Sequence, residues 1–210
     1  MLHTAVRNDL QGLSFSAGIP GSLGGALATN AGAYGMSVGD IVSEATLFSP
    51  KTGLTRARGS DLSFSYRRSG VSDRGVLVEA RVELESGDPV RIRGELERFS
   101  RKRRNSQPLA SHTAGSVFKN PAGGFAGQLI DDAGLKGHAV GHAQVSARHA
   151  NFIVNRGSCS ADDIFQLMKK VQREVSLASG HVLEPEVNLI GEFKGSLLRK
   201  PSSEGKVAGA

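Results

Sequence analysis

From Val76 to Leu84 apolar and polar residues alternate, Val-Leu-Val-Glu-Ala-Arg-Val-Glu-Leu, with the two-residue period of a half-buried strand. The β-like stretch runs from Gly75, and a similar pattern covers Ile41 to Leu47. The period lengthens over Asp88 to Arg104, where Val90, Ile92, Leu96 and Phe99 stand among charges and predict a helix. Its end, Arg101-Lys102-Arg103-Arg104, suits the negative C-terminus of a helix dipole. Gln107-Pro108-Leu109 breaks the pattern and marks a domain boundary. Beyond it a short helix is predicted over Phe125 to Ala133, stopped by Gly134 and Gly137, and a strand over His149 to Asn155. Ser160 reads as the N-cap of a helix with Ile164, Leu167, Met168, Val171 and Val175 at helical spacing, ended by Gly180. A last strand is predicted over Val182 to Ile190, with Pro185 marking an edge or a strand start. The end of the chain is polar and small, and disorder is expected over 196–210.

The 210 residues, 39% hydrophobic and 22% charged, have the balance of a globular chain large enough for one sizeable domain or two small ones. The 27 glycines follow no Gly-X-Y period, so they point to tight turns and close backbone approach rather than to collagen. A net charge of +6 suits a polyanionic partner, either a nucleic acid or a phosphorylated small molecule. Aromatic residues make up only 5% and Trp is absent, so platforms for base stacking are sparse. The lone Cys159 excludes an intramolecular disulfide and a cysteine zinc cluster, and a reducing cytoplasm is the simplest home. No apolar run reaches membrane-spanning length, and the first residues carry no apolar signal core.

Several stretches carry candidate chemistry. The amides of Gly18-Ile19-Pro20-Gly21-Ser22-Leu23-Gly24-Gly25 suit a pyrophosphate cradle, although the spacing is neither Walker A nor G-x-G-x-x-G, and a plain turn is the competing reading. Asn30-Ala31-Gly32-Ala33-Tyr34-Gly35 favours a ligand, because two glycine-rich segments around one Tyr exceed what a hairpin needs. Tyr66-Arg67-Arg68-Ser69 offers a guanidinium for a developing anion, or a solvated surface pair. Ser116 lies outside any G-x-S-x-G, so a structural hydroxyl is its plain reading. His138 and His142 would share one face of a strand, but no carboxylate or Cys stands at ligand spacing and no metal site is expected. Asp131 and Asp132 point about 100° apart on a helix and make no dyad. In Glu184-Pro185-Glu186 one carboxylate should face inward, where desolvation raises its pKa as a proton donor requires. The cations at 101–104 suit phosphate or a solvated helix end.

Taken in order, Gly-Ile-Pro-Gly-Ser-Leu-Gly-Gly-Ala (18–26), Asn-Ala-Gly-Ala-Tyr-Gly (30–35), Tyr-Arg-Arg-Ser (66–69), Arg-Arg-Asn-Ser-Gln-Pro (103–108), Ala-Gly-Ser-Val-Phe-Lys-Asn-Pro (114–121), His-Ala-Asn-Phe-Ile-Val-Asn (149–155) and Leu-Glu-Pro-Glu-Val (183–187) closely resemble the UDP-N-acetylenolpyruvoylglucosamine reductase family. The resemblance runs from about residue 12 to 192. It implies FAD as cofactor, NADPH as hydride source and a UDP-sugar enolpyruvyl ether as substrate, in cytoplasmic peptidoglycan precursor synthesis. On the matched motifs, Arg67 and Glu186 would stabilise the substrate carboxylate as it becomes enolic, and Ser116 would donate the proton. Glu184 is the less favoured carboxylate on motif position. The resemblance implies a flavin site lined by Gly21, Ser22, Gly24, Gly25, Asn30, Gly32 and Tyr34, and a UDP diphosphate met by Asn120, Lys119 and Arg104.

The implied fold is α+β. The remainder of a PCMH-type FAD-binding domain is expected over 1–106 and an α+β substrate-binding domain over 107–195. Family members carry a further N-terminal segment with a Gly-x-Gly-Ser-Asn flavin-binding stretch, which has no counterpart here, so a separate N-terminal flavin-domain fragment is an expected partner. The short spacing from Arg67 to Gln107 resembles the subtype that lacks an extra tyrosine-bearing loop. The alternative is a UDP-sugar-binding module or inactive fragment that has lost the flavin half. A nucleic-acid binder rests on net charge and residues 101–104 alone, and no nucleic-acid or membrane partner is expected.

Overall fold

The computed structural model describes residues 1–199. The chain folds into two compact units, Met1–Asn105 and Ser106–Ala210. Helices and strands are mixed in both.

In the first unit α1 (Leu2–Arg7), β1 (Leu10–Gln11), α2 (Leu23–Ala28), β2 (Gly32–Ala33) and β3 (Met36–Ser37) lead into a three-stranded antiparallel sheet. In that sheet β4 (Val42–Ser49) is central, flanked by β5 (Gly53–Arg58) and β6 (Val76–Val82). The short α3 (Val71–Arg74) precedes β6, and β7 (Glu85–Ser86) returns to pair with β1. Leu13, Phe15, Leu27, Ala45, Leu47, Leu62 and Val71 form the centre of the core. The unit closes with α4 (Pro89–Ser106). Asp88 caps this helix by accepting the Val90 N–H at 3.1 Å, and Pro89 supplies a first position that needs no donor. Of the apolar positions that mark the helix, Ile92 alone is buried and Val90 is 77% exposed. Phe99 makes the helix's aromatic contact instead, stacking on Tyr34 at 4.1 Å between ring centroids.

The second unit is an antiparallel sheet of order β8 (His112–Ser116), β11 (Phe152–Asn155), β10 (Ala143–Val145), β9 (Ala139–Val140), with α5 (Ala126–Asp132) and α6 (Ala161–Ser179). Ile130, Leu135, Val145, Leu167, Met168, Val171, Val175 and Leu183 pack together in its core. The Ser160 side chain accepts the Asp163 N–H at 3.0 Å and Asp163 accepts the Ser160 N–H at 3.1 Å, a capping box that starts α6. Asp163 also accepts the His142 N–H, and these backbone donors hold its carboxyl below the ordinary carboxylate value. Gly180 ends the helix in the left-handed conformation, φ 72°.

Three expectations change. β5 is an additional strand, because its exposed Leu54 and Arg56 hide the alternation that a buried face would have displayed. His138 and His142 do not share a strand: Gly141 and His142 turn the β9–β10 hairpin between them. The strand expected over 182–190 shrinks to one bridge, Phe118↔Pro185, with Lys119 N–H donating to Glu184 O and Glu186 N–H to Val117 O, both at 2.8 Å. Pro185 has no N–H with which to extend a ladder.

The tail expected to be disordered from 196 is fastened at its start. Leu197 packs against the core, and the fully buried Gln172 of α6 accepts the Leu198 N–H at 2.8 Å. Its Nε2 donates to Leu183 O at 2.6 Å and to Leu198 O at 3.2 Å. The remainder of that expectation, 200–210, lies outside the described residues.

Replacing Gln172 by Leu strands these main-chain groups, and a loss of about 2–3 kcal/mol is expected, read as a lower urea midpoint of the second unit. His149 gives the unit a pH dependence. Its Nδ1 accepts the Asn151 N–H at 3.3 Å, which requires the neutral ring, and burial, then the Lys136 charge, hold its pKa below 6.5. The unfolded chain therefore binds the proton more readily, so stability is fully present above about pH 6.5 and declines as pH falls toward the folded value. Urea midpoints between pH 7.5 and 5.5 should fall for the native chain and fall less for His149→Gln; parallel curves would refute this.

Candidate functional site

The candidate residues divide between the two units. Arg67 sits at the tip of a two-residue hairpin turn in the first unit. Ser65 and Arg68 exchange both main-chain hydrogen bonds, at 3.0 and 3.1 Å, leaving Tyr66 and Arg67 as the two turn residues. Such a turn needs positive φ, and Arg67 adopts φ 55° at a cost of about 1 kcal/mol or more for a side chain of its kind. The strained backbone carries an anchored side chain: an Arg67 guanidinium N–H donates to Gly32 O at 3.0 Å, and its Cζ lies 5.1 Å from the Tyr66 ring centroid. Arg67 is half-buried and Arg68 exposed, so the pair divides into an anchored and a solvated arginine.

Asn30 and Gly32 are built into the frame around that hairpin. The buried Asn30 donates to Ser65 O at 2.8 Å and accepts the Gly39 N–H at 2.9 Å, so its amide bridges the two loops. A Cβ on Gly32 would stand 2.5 Å from Met36 O in the β2–β3 hairpin. Tyr34 stacks on Phe99 and donates to Phe99 O at 3.3 Å, with the Lys102 ammonium 5.4 Å from its ring centroid.

The glycine-rich loop is shaped differently. Ser22 caps α2 by accepting the Gly25 N–H at 3.2 Å, while the amides of Gly21, Leu23 and Gly24 meet no protein acceptor among the described residues. A Cβ on Gly21, φ 130°, would enter open space. At Gly18 a Cβ would touch Arg103 Cδ at 3.0 Å, so the glycine admits the arginine stem of α4. Arg103 Nε is buried with no hydrogen-bond partner, and Arg104 beside it is exposed.

In the second unit Ser116 is the last residue of β8, opposite Phe152. The two carboxylates around Pro185 are in different surroundings. Glu184 is exposed and accepts from Lys119 Nζ at 2.5 Å, whereas Glu186 is half-buried on the strand paired to Val117. Lys119, expected at a diphosphate, is therefore neutralised by Glu184. Asn120 accepts the Ala126 N–H at 3.0 Å, tying its loop to the first turn of α5. Sequence reasoning assigned no role to Asn151, which is 4% exposed and holds the main chain of Phe118 at both ends: it accepts the Phe118 N–H at 3.0 Å and donates to Phe118 O at 2.7 Å. The signal was the His-Ala-Asn stretch at 149–151. Among the described residues no group of three or more His, Cys, Asp or Glu side chains is placed to hold a metal ion, and no helix is long and apolar enough to cross a membrane.

Residues 107–190 match the family model "UDP-N-acetylenolpyruvoylglucosamine reductase, C-terminal domain". Over 190 residues the chain is 45% identical to the UDP-N-acetylenolpyruvoylglucosamine reductase of Agathobacter rectalis, covering 90% of this chain and 60% of that protein. Against the reductase of Heliobacterium modesticaldum it is 45% identical over 195 residues, covering 92% and 62%. It superposes on the crystal structure of the reductase from Thermus caldophilus with a TM-score of 0.81 and 34% identity, covering 89% of this chain and 67% of that one. The chain spans about three-fifths of the length of these curated relatives. With a family model over most of the second unit and relatives aligned across both, the chain belongs to the UDP-N-acetylenolpyruvoylglucosamine reductase family.

Proposed function

We propose that this chain is the C-terminal part of a flavin-dependent, NADPH-driven reductase that converts UDP-N-acetylglucosamine enolpyruvate to UDP-N-acetylmuramate in cytoplasmic peptidoglycan precursor synthesis. The observation that carries the reading is the 45% identity to a curated reductase over 190 of the 210 residues, together with the different exposure of Glu184 and Glu186. In this reading the first unit is the remainder of an FAD-binding domain, completed by a separate N-terminal flavin-domain fragment.

The residues present fit the pyrophosphate portion of the cofactor. The amides of Gly21, Leu23 and Gly24 meet no acceptor among the described residues, and a Cβ at Gly21 would enter open space. Ser22 caps that turn through the Gly25 N–H; Asn30, Gly32 and Tyr34 are assigned to the same cofactor site by the family resemblance. When bound, FAD would supply hydride transfer from NADPH to the β-carbon of the enolpyruvyl ether.

The chain's own residues handle charge and the proton. Reduction breaks the C=C π bond, adds hydride at the β-carbon and requires a proton at the α-carbon. Ser116 delivers that proton. Arg67, held by Gly32 O, and Glu186 stabilise the carboxylate as it becomes enolic, and preorganised groups of this kind are typically worth ~3–4 kcal/mol each. Asn120, Lys119 and Arg104 hold the UDP diphosphate; for Lys119 this means exchanging or sharing its Glu184 partner.

Purification with a co-expressed N-terminal fragment tests the cofactor. A complex with flavin absorbance that oxidises NADPH is expected; a colourless complex that still binds the UDP-sugar leaves only a binding module. In that holoenzyme Ser116→Ala should keep flavin reduction by NADPH and slow reoxidation by substrate about 10²-fold or more, the scale of a lost general acid. Glu186→Gln should depress the same half-reaction, with Glu184→Gln milder; the reverse order of the two would overturn the choice of carboxylate.

A further inference from the structure

We infer that Asn151 is a positioning residue for Ser116 and Glu186, acting through the main chain of Val117 and Phe118. The inference rests on the reading above, in which those two side chains face the reacting end of the substrate.

Regular pairing in β8 ends at Ser116, and its ladder with β11 shifts register between Phe152 and Val154. The next two residues, Val117 and Phe118, are buried. Their four main-chain polar groups must be satisfied without water. Val117 N–H donates to Asn151 O at 2.9 Å, Phe118 N–H to Asn151 Oδ1 at 3.0 Å, and Phe118 O accepts from Asn151 Nδ2 at 2.7 Å. The fourth group, Val117 O, accepts the Glu186 N–H at 2.8 Å. Asn151 thus replaces the missing strand partner, and the strand it steadies lies between Ser116 and the segment carrying Glu186. Asn is the short side chain whose amide offers donor and acceptor side by side, as a peptide does. Asp keeps the shape but turns a second acceptor toward Phe118 O.

The diphosphate end has its own anchors. Lys119 is tied to Glu184 by main chain and ion pair, and Asn120 to Ala126. Disturbing Asn151 should therefore affect the sugar-ether end of a ligand and spare the nucleotide end. A side chain that served stability alone would weaken both ends together.

Calorimetric titration of the full chain with UDP-N-acetylmuramate and with UDP separates these cases. For Asn151→Asp, folded by circular dichroism, the expected result is about tenfold weaker UDP-N-acetylmuramate binding with UDP binding held within about twofold. In a Glu186→Gln background the loss caused by Asn151→Asp should shrink, because the positioned group is already gone. Equal weakening of both ligands, or no change in either, overturns the inference. Should Asn151→Asp fail to fold, Asn151→Ser, which keeps a short donor and acceptor, is titrated against the same criteria. The same titrations are run on the chain co-purified with its N-terminal fragment, and failure of that native complex to bind either ligand overturns the functional reading itself, a result distinct from both.

Discussion

The buried main chain at Val117 and Phe118 has to find its hydrogen bonds where β8 has run out of regular partners. An unpaired peptide group away from water costs on the order of 1–3 kcal/mol. The chain meets this with one buried asparagine on one side and the segment around Pro185 on the other. Both candidate chemical groups of the second unit adjoin that arrangement: Ser116 is the residue where the ladder stops, and the Glu186 N–H donates to Val117 O. Gln172 extends the same solution outward, holding Leu183 just before the Pro185 segment and Leu198 beyond it.

The first unit answers a similar demand with backbone conformation. Asn30, Tyr34 and Arg67 all lie at positive φ, and each is secured by contacts that oppose relaxation: the Asn30 amide spanning two loops, the Tyr34 ring on Phe99, the Arg67 guanidinium on Gly32 O. These contacts join the glycine-rich second segment to the arginine hairpin, so a change at Asn30 would be felt at Arg67 through the main chain of Ser65. Binding chemistry and scaffold are thus difficult to assign to separate residues here. At Gly32 a side chain is barred by Met36 O, which an added Cβ would meet at 2.5 Å.

How much of this was legible in the sequence depended on whether a signal was local. α6 was readable from end to end, since Ser160, its apolar stripe and Gly180 are chemically explicit. β6 and β4 followed from alternation. β5 escaped because an edge strand with one buried residue has no apolar face to display. The segment around Pro185 was read as a strand from Val182 to Ile190, but the pairing that forms is a single bridge at Pro185, flanked by the hydrogen bonds of Glu184 and Glu186. The candidate site residues were named from ordered motifs; the structural roles of Asn30 as a loop bridge to Ser65 and of Asn151 as a substitute peptide for Phe118 were not legible, because those partners are 35 and 33 residues distant in the chain.

The two carboxylates illustrate what geometry adds to such motifs. Glu184 and Glu186 stand two residues apart, and strand alternation alone directs both to the same side. Motif position favoured Glu186 without a physical reason. The reason is supplied by register: with Phe118 opposite Pro185, Lys119 falls opposite Glu184 and Val117 opposite Glu186. Glu184 therefore meets a cation and remains in solvent, whereas Glu186, whose N–H donates to Val117 O, is half-buried. An ion-paired, solvated carboxylate is poorly suited to exchange charge with a substrate, since its field is already answered by Lys119. A half-buried carboxylate has given up part of its solvation, so a charge that develops on a bound acid nearby is screened less from it than from a fully solvated one. One register thus gives two chemically identical side chains different surroundings, an ion pair in solvent for Glu184 and a half-buried position for Glu186.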